Sequence, residues 1–159
     1  MNENKVNPIP DGYHSITPFI VVNEGAKAIE FYKEVFGAEV LTRNDGPDGI
    51  VMHCELQIGD SILQLGDANP QWGLESPDAE HITASLVLYV EDCDAVFTKA
   101  VEAGARVREE PSVFLTGDRY ASIADPFGRR WSLMTRVEDV PREEAERRID
   151  EWVASMGEG

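Results

Sequence analysis

The chain has 159 residues, 42% of them hydrophobic, and carries 14 lysines and arginines against 30 aspartates and glutamates, for a net charge of -16. This length allows one domain with a real core, and the negative charge repels phosphate backbones and anionic lipid, so neither nucleic acid nor membrane is an expected partner. No segment approaches the roughly 20 consecutive apolar residues of a membrane helix, and no secretory signal is visible, so we expect a cytoplasmic protein whose Cys54 and Cys93 are reduced.

The first predicted unit opens with an apolar strand that begins at Ile16 and leads into an amphipathic helix. Asn23 stands where the N-cap of that helix is expected, and Gly37 stands where its end favours a left-handed residue. Residues 38 to 43 follow as a short strand. The apolar helix positions recur at the helical period and must pack on a sheet, and they are Ala28, Ile29, Tyr32, Val35 and Phe36.

A hairpin follows, in which residues 50–58 and 61–66 flank the dipeptide Gly59-Asp60. The glycine suits a primed two-residue turn, and such a turn places Glu55 opposite Gln64. Because side chains alternate between the two sides of a strand, one face of the hairpin is apolar and the other is polar. The apolar face holds Met52, Cys54, Leu56, Ile58, Leu63 and Leu65, and the polar face holds His53, Glu55, Gln57, Ile62 and Gln64.

Residues 67–82 are rich in turn formers and acidic residues and are predicted to be a linker. Trp72 in this linker is expected to pack on the domain as an anchor, and a lid over an aromatic ligand is the alternative. Beyond the linker the layout repeats, because the Gly-Ala-x-Val that follows the first helix recurs from Gly104 to Val107.

The second unit has the same order of elements as the first. Asp92 is the expected N-cap of its helix, residues 105 to 109 form a strand, and a hairpin surrounds Asp125-Pro126-Phe127-Gly128. Ala121, Ile123, Trp131 and Leu133 read as core, which leaves Tyr120, Ser122, Ser132 and Met134 on the opposite face. The chain is therefore predicted to be one α+β domain over residues 1–159, with two βαβββ units at 15–66 and 83–137.

A third amphipathic helix is predicted over residues 140–156, with Pro141 at its first helical position. Its apolar side is expected either to close over its own sheet or to dock on another subunit. The residues of that side are Ala145, Ile149, Trp152, Val153 and Met156.

Four segments together resemble one known family. They run from Ile16 to Val22, from Ala28 to Ala38, from Gly117 to Arg119 and from Asp125 to Trp131. The resemblance, over residues 15–137, is to the glyoxalase, bleomycin resistance protein and extradiol dioxygenase group, the vicinal oxygen chelate superfamily. It implies mixed sheets that curl around a shared cavity, commonly in a homodimer. Members include metal-dependent isomerases and dioxygenases, and metal-free proteins that sequester a drug.

The metal-dependent members of that family place four ligands on the cavity side of the first and fourth strands of each unit. The resemblance puts these positions at Ile16, Gln64, Ser85 and Ser132, and only Gln64 is a plausible ligand. A divalent cation needs about three or four donors with some anionic or imidazole character. We therefore expect neither a metal nor any other cofactor.

Two groups of charged residues leave alternatives open. His53, Glu55 and Gln64 share a sheet face, and they form either a rearranged metal or acid-base site or an ordinary polar face. Arg119, beside Asp118, is either a fork for an anionic ligand or part of a structural ion pair.

The leading hypothesis is a small-molecule binding protein of the bleomycin-resistance type that acts by sequestration. The alternative is a metal-dependent lyase, isomerase or dioxygenase with a rearranged metal site, so whether the protein is an enzyme stays open. A third class is a protein-interaction module that uses the C-terminal helix. The predicted ligand-binding residues are Pro18, His53, Glu55, Gln64, Ser85, Tyr89, Arg119, Tyr120, Ser132 and Met134.

Overall fold

The computed structural model describes residues 6–157, and within them eight strands and three α-helices form a mixed α+β fold. In chain order these are β1 (Phe19–Val22), α1 (Gly25–Phe36), β2 (Glu39–Asp45), β3 (Val51–Ile58), β4 (Ser61–Asp67), β5 (Ser85–Tyr89), α2 (Cys93–Glu102), β6 (Arg106–Val113), β7 (Asp118–Ala124), β8 (Arg130–Arg136) and α3 (Arg142–Met156). Within this described part of the chain, no helix is both long and apolar enough to cross a membrane.

The strands form two four-stranded sheets of the same layout, which confirms the predicted tandem of βαβββ units. The strand order is β1-β4-β3-β2 in one sheet and β5-β8-β7-β6 in the other, and only the pairs β1–β4 and β5–β8 are parallel. The chain divides into two compact units between Asp78 and Ala79, inside the predicted linker. We call them the first unit and the second unit. The assignment of residues 1–159 to a single domain stays a prediction.

The hairpin of the first unit has the predicted register, with Glu55 opposite Gln64. The apolar side of α1 packs on this hairpin, and Ile29 and Tyr32 are fully buried. Of the six residues predicted for the apolar hairpin face, Met52 is half-buried and the other five are buried. Ile62 on the opposite face is also buried.

The first strand is shorter than predicted. It begins at Phe19, and Ile16 lies in the segment before it with 86% of its surface exposed. The carbonyl oxygen of Pro18 still accepts a hydrogen bond from the backbone N–H of Gln64 at 2.9 Å. Proline has no backbone N–H of its own, so the regular ladder begins only after Pro18.

The start of α1 is built differently from the prediction. Asn23 is not the N-cap; that position belongs to Glu24, which adopts a left-handed conformation and makes no side-chain cap. Instead the carboxylate of Asp67, at the end of β4, accepts hydrogen bonds from the backbone N–H groups of Gly25 at 2.7 Å and Val51 at 2.8 Å. A Cβ at position 25 would lie 2.9 Å from Asp67 Oδ2, so glycine is required there. The end of α1 follows the prediction, because Gly37 is left-handed with φ 67°.

The start of α2 follows the prediction. Asp92 is its N-cap and accepts a hydrogen bond from the backbone N–H of Ala95 at 3.0 Å. The hydroxyl of Thr135, near the end of β8, also accepts one from the N–H of Cys93 at 2.8 Å. Both helices thus begin against a side chain from the fourth strand of their unit. The predicted core residues of this unit, Ala121, Ile123, Trp131 and Leu133, are all buried.

The turn between β7 and β8 is organised by one buried carboxylate. Asp125 accepts hydrogen bonds from the backbone N–H groups of Phe127 and Arg129, both at 2.9 Å, and from the indole N–H of Trp131 at 2.8 Å. This explains why the Asp-Pro-Phe-Gly motif is followed by a tryptophan: the aspartate fixes the turn and also satisfies the only polar atom of the buried ring.

The predictions for Pro141 and Trp72 are wrong, and one of the two alternatives for the apolar side of α3 is excluded. Pro141 is the N-cap of α3 rather than its first helical residue, and the apolar side of α3 does not close over a sheet. Trp152 is 44% exposed and makes one edge contact, with the Phe114 ring at 6.0 Å between centroids. Trp72 does not anchor its segment, because 64% of its surface is exposed. The homodimer that the resemblance implies stays a prediction.

Candidate functional site

Each unit has one sheet side that its helix covers and one that it leaves free, which we call the helix-free face. In the first unit this face carries Phe19, His53, Glu55, Ile62 and Gln64. In the second unit it carries Ser85, Val87, Tyr89, Tyr120, Ser122, Arg130, Ser132 and Met134. Nine of the ten predicted ligand-binding residues lie on or beside these two faces, and Arg119 does not.

Glu55 is the centre of the first helix-free face. Its Oε2 accepts a hydrogen bond from the hydroxyl of Tyr13 at 2.6 Å. Its Oε1 accepts one from the amide of Gln64 at 3.0 Å and lies 3.4 Å from Nε2 of His53. The Glu55 side chain is only 16% exposed, and that of His53 is 34% exposed. A half-buried carboxylate with three side-chain partners is therefore held in one orientation.

The hydrogen bond between Tyr13 and Glu55, the shortest of the three, shifts the pKa values of both residues. The hydrogen bond from Tyr13 is the main reason why the pKa of Glu55 lies below its ordinary value, and His53 and Gln64 lower it further. The same bond raises the pKa of the Tyr13 phenol. At neutral pH the pair is thus a carboxylate and a protonated phenol.

The edge of this face is aromatic. The ring of His53 stacks on that of Phe19, with 6.0 Å between centroids and 24° between planes. Pro18 precedes Phe19, and its carbonyl oxygen accepts a hydrogen bond from the backbone N–H of Gln64. The site in the first unit is therefore one charged acceptor bordered by a stacked pair of rings.

The second helix-free face contains hydroxyl groups and one cation. The hydroxyls of Ser85 and Ser132 lie 3.0 Å apart, on the adjacent strands β5 and β8. Arg130 donates to the hydroxyl of the buried Ser122 at 2.9 Å and to that of Tyr120 at 3.3 Å. It also pairs with Glu109 at 3.1 Å. Tyr89, which is 62% exposed, and the half-buried Met134 complete this face beside them.

Arg119 lies on the other side of β7. Its guanidinium forms a two-pronged ion pair with Asp94 of α2, one prong being Nη2 to Oδ1 at 2.6 Å. Arg119 is thus in a structural ion pair, with a partner on α2 rather than within the hairpin. Asp118 instead accepts a hydrogen bond from the hydroxyl of Thr116 at 2.8 Å.

The positions at which the family binds metal do not supply a metal site. Ile16 precedes the strand, and the register that pairs Phe19 with Gln64 and Val87 with Ser132 makes Thr17, not Ile16, the counterpart of Ser85. Either residue leaves the set without a carboxylate or imidazole. Among residues 6–157, no three His, Cys, Asp or Glu side chains lie close enough together to hold a metal ion. His53 and Gln64 both lie against Oε1 of Glu55, at 3.4 Å and 3.0 Å.

Neither cysteine is placed for chemistry. Cys54 and Cys93 are buried and unpaired, and burial is the main reason why the pKa of each thiol is raised. Cys93 is the first residue of α2, yet its thiol donates to the carbonyl of Leu133 at 3.4 Å. Burial therefore outweighs the effect of the helix N-terminus that favours a thiolate.

One further concavity in the first unit lies away from the helix-free face. It has a volume of about 480 Å³, surrounds the start of α1 and includes the carboxylates of Glu24, Asp48 and Asp67. Asp67 is already bonded to two backbone N–H groups. None of the predicted ligand-binding residues lines this concavity.

The sequence-based reasoning missed two residues, Tyr13 and Arg130. Tyr13 lies outside any strand, and no periodicity connects it to Glu55, which is 42 positions away. Arg130 carried a usable signal, since strand alternation from Ser132 already puts it on the second helix-free face. The same alternation from Ala121 puts Arg119 on the helix side.

Two tandem βαβββ units with polar helix-free faces define the class as glyoxalase-fold proteins. The sequence model of the Glyoxalase/Bleomycin resistance protein/Dioxygenase superfamily matches residues 12–133, and the chain belongs to that superfamily.

Individual relatives agree with this family. An uncharacterized protein of Mycobacterium bovis is 38% identical over 149 residues, which cover 91% of this chain and 95% of that protein. A solved superfamily member from Sphaerobacter thermophilus matches with a TM-score of 0.57 at 21% identity, covering 77% of this chain and 97% of that one. TnmS3, an antibiotic binding protein from Streptomyces, matches with a TM-score of 0.57 at 24% identity, covering 77% and 96%. At these identities the two solved structures show a shared fold alone.

Proposed function

We propose that this protein binds a small aromatic molecule on the helix-free face of its first unit and acts by sequestering it, without a bound metal. The observation that carries the proposal is the arrangement around Glu55, a half-buried carboxylate with fixed hydrogen-bond partners beside a stacked His53–Phe19 pair. Ligand sites commonly combine apolar walls with a few placed polar groups, and this face has both. The fold shared with an antibiotic binding protein is consistent with such a role.

The proposed ligand is planar and neutral or cationic rather than strongly anionic. Glu55 supplies the charge on this face, the stacked His53–Phe19 pair offers an aromatic surface beside it, and the chain has a net charge of -16. Arg119 does not oppose this preference, because it is bonded to Asp94 on the helix side. Arg130, on the second helix-free face, is the cation that would instead favour an anionic ligand, although Glu109 partly neutralises it.

A thermal-shift screen of matched cationic, neutral and anionic aromatics at two salt concentrations tests this proposal. We expect cationic and neutral compounds to raise the melting temperature, and Glu55→Gln to remove the preference for cations over neutral compounds. Arg119→Ala is the matched control and is expected to leave every ligand response unchanged. Stabilisation by the anionic set alone, lost in Arg130→Met but kept in Glu55→Gln, would show that the arginine is the ligand's partner.

The second candidate is a metal-dependent lyase, isomerase or dioxygenase that uses His53, Glu55 and Gln64. It has one specific support, since these side chains do meet around the Glu55 carboxylate. Gln64 turns its amide nitrogen toward Glu55 Oε1, so its side chain would have to turn its oxygen toward a metal before it could serve as a ligand. Elemental analysis of protein purified without chelator separates the candidates. One equivalent of zinc, nickel, iron or manganese per chain, lost in His53→Ala, would favour the second.

A further inference from the structure

Tyr13 is held against the first helix-free face by a short folded segment that belongs to neither a strand nor a helix. Its backbone N–H donates to the carbonyl of Pro10 at 3.1 Å, across a turn in which Gly12 has φ 84°. Next along the chain, the hydroxyl of Thr17 donates to the carbonyl of His14 at 3.1 Å. The chain joins the sheet at Pro18, whose carbonyl accepts a hydrogen bond from the backbone N–H of Gln64. The phenol therefore reaches Glu55 from a loop, held by local turns rather than by strand pairing.

The three partners of Glu55 differ in how firmly they are fixed. Gln64 lies directly opposite Glu55 in the pairing of β3 with β4, and His53 lies two residues before Glu55 on β3 itself. Tyr13 has no such constraint, yet it makes the shortest of the three contacts, at 2.6 Å. Hydrogen bonds from a neutral hydroxyl to a carboxylate are charge-assisted and stronger than neutral ones. The position next to Oε2 of Glu55 is therefore suited to a hydroxyl donor.

We propose that Glu55, Gln64 and His53 form a recognition site for a phenolic ligand, and that the Tyr13 phenol occupies this site until the ligand displaces it. The inference rests on the proposed function and specifies its ligand class. Exchange of one phenol for another conserves the hydrogen bond to Glu55, so displacement costs mainly the local turn contacts that hold Tyr13 in place. An aromatic ether of the same shape would leave the half-buried carboxylate without that donor, and sites of this kind reject such analogues strongly.

The test compares 4-methylphenol with its methyl ether, 4-methylanisole, by calorimetric titration. The proteins are the wild type, Tyr13→Ala, and Tyr13→Ala combined with Glu55→Leu. We expect Tyr13→Ala to bind the phenol at least about tenfold more tightly than the wild type does, and at least about tenfold more tightly than it binds the ether. The added Glu55→Leu substitution should abolish the preference for the phenol.

Two further variants complete the comparison, one as a control and one as a replacement for Tyr13→Ala. His14→Ala alters the same exposed segment but removes no side chain from the site, and it should bind like the wild type. Tyr13→Phe keeps the ring and removes only the hydroxyl, so it serves if Tyr13→Ala fails to fold. It should keep the phenol preference, with an affinity between those of the wild type and Tyr13→Ala.

Equal affinities for phenol and ether in the Tyr13 variants would overturn this inference, because the space left by the ring would then be a general apolar cavity. So would the absence of any gain over the wild type. Neither result affects the proposed function, which the screen of larger aromatics on the wild type tests separately. If no aromatic of any class binds the wild type or the variants, both proposals are wrong.

Discussion

The two units share one backbone plan but place opposite charges on their helix-free faces. Strand pairing makes Glu55 and Gln64 of the first unit equivalent to Ser122 and Ser132 of the second. By the same pairing, the buried Ile62 is equivalent to Arg130. One unit therefore presents a carboxylate held by a phenol, and the other a guanidinium held by hydroxyls and Glu109. The repeat dictates where side chains stand, and single residues at those places decide what each face can bind.

Hydrogen bonds that stabilise the two units also differ at equivalent places, and three experiments measure the size of these differences. They compare equivalent places in the two repeats: the turn between the third and fourth strands, the start of the helix, and the helix-free face.

The largest difference is expected at the turns. Asp125→Ala removes three hydrogen bonds to a buried carboxylate, from two backbone N–H groups and the Trp131 indole. We expect it to lower the free energy of unfolding by about 3 kcal/mol or more, measured by urea denaturation. Asp60→Ala, in the exposed turn of the first unit, is the control and should change it by less than about 0.5 kcal/mol. Equal losses of unfolding free energy in Asp125→Ala and Asp60→Ala would contradict the expected difference between the two turns.

The helix starts should differ less. Asp67→Ala leaves the backbone N–H groups of Gly25 and Val51 without their partner, and we expect a loss of about 2–3 kcal/mol. Thr135→Val removes the acceptor of the Cys93 N–H and the donor to the Val90 carbonyl, and because both bonds involve a neutral hydroxyl it should cost about 1–2 kcal/mol. Asp67→Asn keeps one acceptor oxygen and should fall between the wild type and Asp67→Ala. A larger loss in Thr135→Val than in Asp67→Ala would contradict our account of how α1 begins.

The smallest effect concerns pH and the first helix-free face. The pKa of folded Glu55 is lowered, so its stabilising contribution is complete above the ordinary carboxylate pKa of 4.5 and disappears as the pH falls through the lowered value. Tyr13→Phe removes the main cause of this shift. We expect the Glu55 pKa, followed by carbon NMR of its carboxyl group, to rise in this variant, with a weaker acid dependence of the melting temperature.

Tyr120→Phe is the matched control for that titration, because it removes a phenol hydroxyl from the second unit instead. That hydroxyl accepts a hydrogen bond from Arg130. The titration of Glu55 should therefore be the same as in the wild type. An unchanged Glu55 pKa in Tyr13→Phe would show that His53 and Gln64 alone account for the shift.

The local sequence pattern alone determined much of the fold of this protein. Strand alternation and the Gly59-Asp60 turn were enough to place Glu55 opposite Gln64, because a two-residue turn leaves only one register. The recurrence of Gly-Ala-x-Val gave the tandem units for a similar reason, since each motif marks the end of a helix. These features depend on neighbours within a few residues, and such neighbours can be read directly from the chain.

Only the tertiary structure decided which distant groups meet. Asp67 rather than Asn23 supports the start of α1, because the end of β4 is brought to that helix by sheet pairing. Asp94 of α2 forms the ion pair with Arg119, and Tyr13 reaches Glu55 from a loop. Each of these contacts joins an element to one that is remote in sequence, and no local periodicity encodes which remote side chain arrives. The sequence therefore predicted the frame of the candidate site, and packing supplied the partners that define its chemistry.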